Sequence, residues 1–174
     1  MVRKNSIVSA SELKGLLEGE FSSREFDEMK RHTLLGAETL AEAERLSMDK
    51  GDRSFLALAR EIALSHHEKW DGSGYPGGLK GEDIPLGGRL MALADVYDAL
   101  VTKRVYKAAM PHEEAVKIIL DGRGSHFDPD VVDAFLESAK EFREISTRYD
   151  RRRSKAFRPP LVLPHSPMYV PPIR

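Results

Sequence analysis

Histidine and aspartate side chains are the groups in this chain that could bind a metal ion. His66 and His67 are adjacent, follow an apolar helical segment and precede a glycine-rich stretch. Neighbouring side chains on a helix point about 100° apart, so a metal cluster could use both imidazoles, or one could bind the ion while the other contacts substrate. The structural alternative is a helix C-terminus at which imidazolium interacts favourably with the helix dipole.

A carboxylate in an apolar helix is the second candidate. Asp95 lies in the segment LMALADVYDALV, which predicts a buried helix, and an ionised carboxylate there needs an ion pair, several hydrogen bonds or a cation. Asp98 shares the same helix face and could coordinate an ion or hold a ligand by a hydrogen bond. The alternative is an ion pair of Asp95 with Arg89, Arg104 or a buried amide.

A third histidine and a loop complete the set. His32 precedes Gly36, which allows close approach of another backbone, although a lone histidine is more often a surface or hydrogen-bonded core residue. Residues 70–85 (WDGSGYPGGLKGEDIP) contain five glycines and two prolines, which predicts a structured loop. Its backbone N–H groups could face an anion, and Tyr75 offers a hydroxyl and a stacking surface. A rigid cover or a partner-docking surface is the alternative.

The elements that would position these residues are helices, because apolar residues recur at spacings of three and four and no long alternating segment occurs. Possible capping boxes at Ser9 and at Ser22 open two helices, and the second helix would bury the stripe Phe26, Met29, Thr33, Ala37 and Leu40. Further helices are predicted from Ser54 to His67 with Leu58, Ile62 and Ala63 inward, from about Leu86, after Pro111, and from Asp128 with Val132, Phe135, Leu136 and Phe142. The predicted fold class is all-α.

Composition narrows the possible chemistry. The 174 residues are 41% hydrophobic and include no cysteine, so any metal must be held by imidazole and carboxylate, which favours iron, manganese or a His/Asp zinc site. No apolar run approaches the roughly 20 residues that cross a bilayer, and no signal peptide is evident. The chain is therefore predicted to be a soluble cytoplasmic protein without a membrane partner.

Charge is distributed unevenly. Lysine and arginine number 27 and aspartate and glutamate 28, a net charge of −1 that gives no whole-chain argument for nucleic acid binding. Residues 146–174 carry seven basic residues against one acid, and six of the ten prolines lie in 159–172. We therefore predict two parts, a helical domain over 1–145 and an extended, basic, Pro-rich tail over 146–174. The tail could contact nucleic acid, but a solvated linker is the favoured interpretation.

The run HHEKWDGSGYPGGLKGEDIPLGGRLMALADVYDALVTKRVYK, continued by GSHFDPDVVDAF, resembles the signature of the HD-GYP family of metal-dependent phosphodiesterases. The segment EFDEMKRHTLLGAETL resembles the preceding helix of that family, and the similarity covers about residues 10–138. The resemblance implies a helical bundle of the HD-domain type. It further implies a bi- or trinuclear iron or manganese centre whose ligands here are His32, His66, His67 and Asp95.

The resemblance also implies a substrate site for cyclic di-GMP. Asp98, Arg104 and Lys107 would line this site, with the two cations binding phosphate. Tyr75 and Pro76 would belong to the loop that gives the family its name, and the tripeptide Gly74-Tyr75-Pro76 could also dock a signalling partner.

The sequence departs from the family pattern because it contains no His-Asp doublet. The neighbouring lysine of that motif and the upstream Glu and His ligands also lack counterparts, so no catalytic residue is assigned and an N-terminally truncated bundle is expected. The predicted function is a cyclic di-GMP phosphodiesterase module of bacterial second-messenger signalling, with turnover by this chain alone left open. The alternative is a non-catalytic module that senses cyclic di-GMP or docks a partner. Apolar faces exposed by an incomplete bundle would favour a homo-oligomer.

Overall fold

The computed structural model describes residues 23–103 and 108–156. Within these ranges the chain forms six α-helices and one short 3-10 helix, which confirms the predicted all-α class. The elements are α1 (Ser23–Leu46), α2 (Lys50–Ser65), the 3-10 helix (Gly81–Asp83), α3 (Leu86–Val101), α4 (His112–Asp121), α5 (Pro129–Glu137) and α6 (Ala139–Ala156).

Helices α1 and α2 pack against each other as a hairpin. Thr33 and Ala37 of the predicted α1 stripe are buried, and a Cβ at Gly36 would lie 3.7 Å from the Cβ of Ala63, so the glycine allows the two helices to approach. Helix α2 begins four residues earlier than predicted because the Asp49 carboxylate caps it, accepting hydrogen bonds from two backbone N–H groups of its first turn. The predicted burial of Leu58 is wrong, since its side chain is 50% exposed.

Helix α3 crosses α2 at two consecutive glycines. A Cβ at Gly88 would overlap the side chain of Ser65, and a Cβ at Gly87 would lie 3.0 Å from Ile62. Because neither glycine has a side chain, the first turn of α3 lies directly against the last turn of α2. The loop that follows α2 is thereby brought back over the end of that helix.

The hydrophobic core lies between α3, α4 and α5. Its buried members include Leu93, Val96, Tyr97, Leu100, Ala115, Ile119, Phe127, Val131, Val132 and Phe135. Asp128 caps α5 by accepting a hydrogen bond from the Asp130 backbone, with Pro129 at the first helical position, as predicted.

The C-terminal helix differs from the sequence prediction. The chain turns at Ser138, so Phe142 lies on α6 and not on the helix of Val132. Helix α6 continues to Ala156, and the extended conformation predicted from Ser146 is therefore wrong for residues 146–156. Residues 157–174 and the helix predicted from Ser9 lie outside the described ranges, and the division into two parts stays a prediction. In the described helices, no segment is both long and apolar enough to cross a bilayer.

Candidate metal centre

Three histidines from two helices meet at one end of the α1–α2 hairpin. His32 is on α1, His66 is the C-cap residue of α2, and His67 follows His66. One ring nitrogen from each histidine lies within 4.8 Å of the other two, and the ring centroids are 4.1–5.4 Å apart. In the described part of the chain, these three histidines are the set of imidazole or carboxylate side chains whose ligand atoms lie close enough together to hold one ion. We call it the imidazole cluster.

Backbone carbonyls fix the orientation of two of these rings. Nδ1 of His32 lies 2.6 Å from the Met29 carbonyl oxygen, and Nδ1 of His66 lies 3.0 Å from the carbonyl oxygens of Ile62 and Ala63. A carbonyl oxygen only accepts, so Nδ1 of each ring carries a proton, and in the tautomer protonated at Nδ1 alone Nε2 has a lone pair. This is the arrangement in which histidine binds metals through Nε2.

The two Nε2 atoms are 3.4 Å apart. Two lone pairs at this distance repel each other unless a proton or a cation lies between them. Metal–nitrogen bonds of about 2.1 Å at a tetrahedral angle would separate the two nitrogens by about 3.4 Å. The spacing of the His32 and His66 nitrogens therefore fits ligands of a single ion.

The third ring is kept neutral by its surroundings. Burial lowers the pKa of His67 to about 3, and the neighbouring His66 and His32, then His126 and Lys69, act in the same direction. An uncharged imidazole at neutral pH has a lone pair available for a metal ion. A set of imidazole nitrogens fits a first-row transition metal ion.

The glycine-rich loop folds back onto the cluster. The Tyr75 backbone N–H donates a hydrogen bond to the His67 carbonyl oxygen (3.1 Å), and the Tyr75 ring stacks on the His67 ring with centroids 4.8 Å apart. The Tyr75–Pro76 peptide bond is cis. The side chains of Tyr75 and His67 thus form one layer, with Phe26 of α1 in edge contact with Tyr75.

The two predicted aspartates, Asp95 and Asp98, are not part of this cluster. Asp95 is exposed, which makes the prediction of a buried carboxylate wrong, and it does not join the three imidazoles within 4.8 Å. Its predicted alternative partner Arg89 pairs instead with the buried Asp128 at 2.8 Å. Asp98 is also exposed and accepts a hydrogen bond from the Thr102 hydroxyl (3.1 Å). Asp95 and Asp98 as ligand-binding residues stay predictions, and Arg104 and Lys107 lie outside the described ranges.

Sequence reasoning missed two charged residues beside the cluster. Glu68 is buried, and its carboxylate accepts hydrogen bonds from the loop backbone. The Lys30 ammonium lies 4.5 Å from the Phe26 ring centroid and 5.9 Å from that of Tyr75. The signal for Glu68 was its place between the histidine pair and a glycine-rich segment whose N–H groups need acceptors. Lys30 gave no comparable signal in the sequence.

Comparison with known proteins identifies the family. A family model for the HD domain matches residues 14–131, so the chain belongs to the HD-domain family, whose members are metal-dependent hydrolases. This match and the relatives below confirm the HD-GYP resemblance.

Curated relatives share high identity with this chain. A probable cyclic di-GMP phosphodiesterase of Vibrio cholerae is 57% identical over 131 residues, which are 75% of this chain and 29% of the relative. A cyclic di-GMP phosphodiesterase of Thermotoga maritima is 42% identical over 130 residues, 75% of this chain and 33% of the relative. A 3'3'-cGAMP-specific phosphodiesterase 2 of Vibrio cholerae is 41% identical over 124 residues, 71% of this chain and 22% of the relative. The chain thus spans between about a fifth and a third of the length of these relatives.

Proposed function

We propose that this chain is a metal-dependent cyclic di-GMP phosphodiesterase module of the HD-GYP type. The observation that carries the proposal is the imidazole cluster, in which the Nε2 atoms of His32 and His66 lie 3.4 Å apart beside the neutral ring of His67. The names of the relatives, which include phosphodiesterases for cyclic di-GMP and for 3'3'-cGAMP, support a cyclic dinucleotide as the substrate class.

The cluster would hold a divalent ion through His32, His66 and His67, and we propose iron or manganese. A bound ion of this kind supplies Lewis-acid polarisation of a phosphoryl oxygen and lowers the pKa of water. The chain's own residues orient the nitrogens through the backbone carbonyls and cover the third ring with Tyr75. Asp95 is proposed as a further ligand of a bi- or trinuclear centre, and Asp98, Arg104, Lys107, Tyr75 and Pro76 as the substrate-binding residues.

A non-catalytic role is the second candidate. The chain contains no His-Asp doublet, and the exposed Asp95 does not join the three imidazoles. A centre with one ion could retain a nucleotide without the second ion that an in-line attack on phosphorus uses. In this role the module would sense cyclic di-GMP or dock a signalling protein through Gly74-Tyr75-Pro76.

Turnover and binding separate the two candidates. Untagged protein reconstituted with iron(II) or manganese(II) would be incubated with cyclic di-GMP and, in parallel, 3'3'-cGAMP, and the products resolved by chromatography. The enzymatic role predicts linear products that a chelator and His66→Ala abolish, while His112→Gln, a histidine paired with Tyr97 outside the cluster, keeps turnover. Calorimetric binding without products would support the sensing role. Neither binding nor products would contradict both.

Assembly and location are further parts of the proposal. The exposed leucines of the α1–α2 hairpin, Leu34, Leu35 and Leu58, support a homo-oligomer. Light scattering that finds a monomer at high concentration would contradict it. A cytoplasmic location is proposed because the messenger nucleotide named for the relatives is a bacterial signalling molecule.

A further inference from the structure

Glu68 is a buried side chain that directly follows the histidine pair. Its side chain is only 2% exposed, and both carboxylate oxygens accept hydrogen bonds from the glycine-rich loop. Oε1 accepts from the Gly77 backbone N–H at 2.6 Å, and Oε2 accepts from the Leu79 backbone N–H at 3.0 Å. Hydrogen bonds to an ionised acceptor are about twice as strong as neutral ones, so these two bonds close the loop firmly.

The loop that Glu68 holds closed contacts His67 through Tyr75. Gly74 lies so close to the backbone of Glu68 and Lys69 that a Cβ would overlap both residues. The next residue, Tyr75, donates its N–H to the His67 carbonyl and stacks its ring on the imidazole at an interplanar angle of 28°. The Glu68 carboxylate and the Tyr75 ring, which covers the imidazole cluster, are therefore held together by one short loop.

We propose that Glu68 is a positioning residue for the metal centre, acting through the loop and Tyr75 to set the orientation of the His67 ring. This inference rests on the proposed function, because it requires that the imidazole cluster binds a metal ion. Residues that orient a ligand without touching the ion change metal affinity about 10–100-fold when they are replaced. Glu68 belongs to this class by its contacts.

Cobalt(II) titration tests the inference without any turnover, because the absorption of the bound ion reports both affinity and ligand geometry. Glu68→Gln keeps the size of the side chain but offers one acceptor oxygen and an amide N–H₂ that faces a backbone donor. We expect cobalt to bind about tenfold more weakly with a changed absorption spectrum. Glu82→Gln, which removes an exposed carboxylate from the same loop, should behave as the unmodified protein.

Two further substitutions separate positioning from a general effect on folding. Gly77→Ala leaves the charge in place but puts a Cβ 3.1 Å from Oε1 of Glu68, so it should weaken cobalt binding even if Glu68→Gln fails to fold. Tyr75→Leu should weaken binding to a similar degree, and the Glu68→Gln/Tyr75→Leu double variant should be no weaker than the worse single variant.

The outcomes are distinguishable. Unmodified protein that binds no cobalt overturns the proposed metal centre and this inference with it. Unmodified protein that binds cobalt, together with a folded Glu68→Gln or Gly77→Ala protein of unchanged affinity and spectrum, overturns the positioning role alone. Additive losses in the double variant would also overturn it.

Discussion

The α1–α2 hairpin and the α3–α5 core are built differently. The core buries a continuous set of apolar side chains, including Leu100, Ile119 and Val132 at 0% exposure. On the hairpin, leucines such as Leu34, Leu35 and Leu58 remain about half exposed, and the polar Thr33 and Ser65 are among its buried residues. Stability therefore resides mainly in the core, whereas the metal-binding groups are on the less buried hairpin, where local opening needs less free energy.

Two sets of contacts connect the hydrophobic core with the α1–α2 hairpin and the loop that follows it. The backbone N–H groups of Trp70 and Asp71 donate to the carbonyl oxygens of His126 and Ser125, next to the core residue Phe127. The glycine crossing at Gly88 holds α3 against α2. The loop over the imidazole cluster is thus attached to the stable half of the molecule.

The largest expected effect comes from the core. Phe127 is 1% exposed, and Phe127→Ala should reduce the free energy of unfolding by about 3–5 kcal/mol, through lost transfer energy and a cavity. Phe55 on α2 is 71% exposed, so Phe55→Ala should change the free energy of unfolding by no more than about 0.5 kcal/mol. Urea denaturation followed by circular dichroism measures both. Equal losses would remove the contrast between core and hairpin.

Substitutions at two helix glycines sharpen the comparison. Gly88→Ala forces α3 away from Ser65 and should cost about 1–3 kcal/mol of unfolding free energy. Gly36→Ala adds a methyl at ordinary contact distance in the middle of α1 and should be neutral or stabilising by up to about 1 kcal/mol. Thermal unfolding of the two variants side by side provides the measurement. Destabilisation by Gly36→Ala equal to that of Gly88→Ala would show that the α2–α3 crossing has no special role.

Lowering the pH should reduce the free energy of unfolding through His126, whose backbone carbonyl helps to attach the loop. Burial and then Lys69 lower the pKa of His126 to about 4, with Asp71 acting in the opposite direction, whereas the unfolded residue titrates near 6.5. The unfolded state therefore binds more protons, and stability falls as the pH decreases below about 6.5, by roughly 2 kcal/mol at pH 5. His126→Asn should make the free energy of unfolding depend less steeply on pH. Some dependence should remain, because the pKa of His67 is also lowered. If the free energy of unfolding of this variant depends on pH as it does in the unmodified protein, His126 is excluded as the source of the dependence.

Much of the fold was predictable from local signals. Spacing of apolar residues, the Asp128 cap and the glycine-rich break predict the helical class and most of the helix starts. The errors concern side chains whose environment depends on distant segments. Asp95 has apolar neighbours in sequence yet is exposed, because sequence periodicity does not reveal which helix face lacks a partner. The sequence pattern predicts one helix from Asp128 to about residue 145 where the structure has two, because the second half of α6 is strongly polar and lacks an apolar stripe.

The candidate site was predictable in part. The three histidines were found from type and spacing together with the family resemblance, and the structure brings them within 4.8 Å. The role of Glu68 depends on hydrogen bonds to residues nine and eleven positions further along the chain, which no local pattern specifies.

The most direct test of the account is the metal content of the purified, untagged protein after extensive dialysis, measured by elemental analysis beside His66→Ala. The geometry of the imidazole cluster predicts at least one iron or manganese ion per chain in the unmodified protein and loss of metal in the variant. Metal-free protein that cannot be reconstituted, or a His66→Ala protein with undiminished metal, would contradict it.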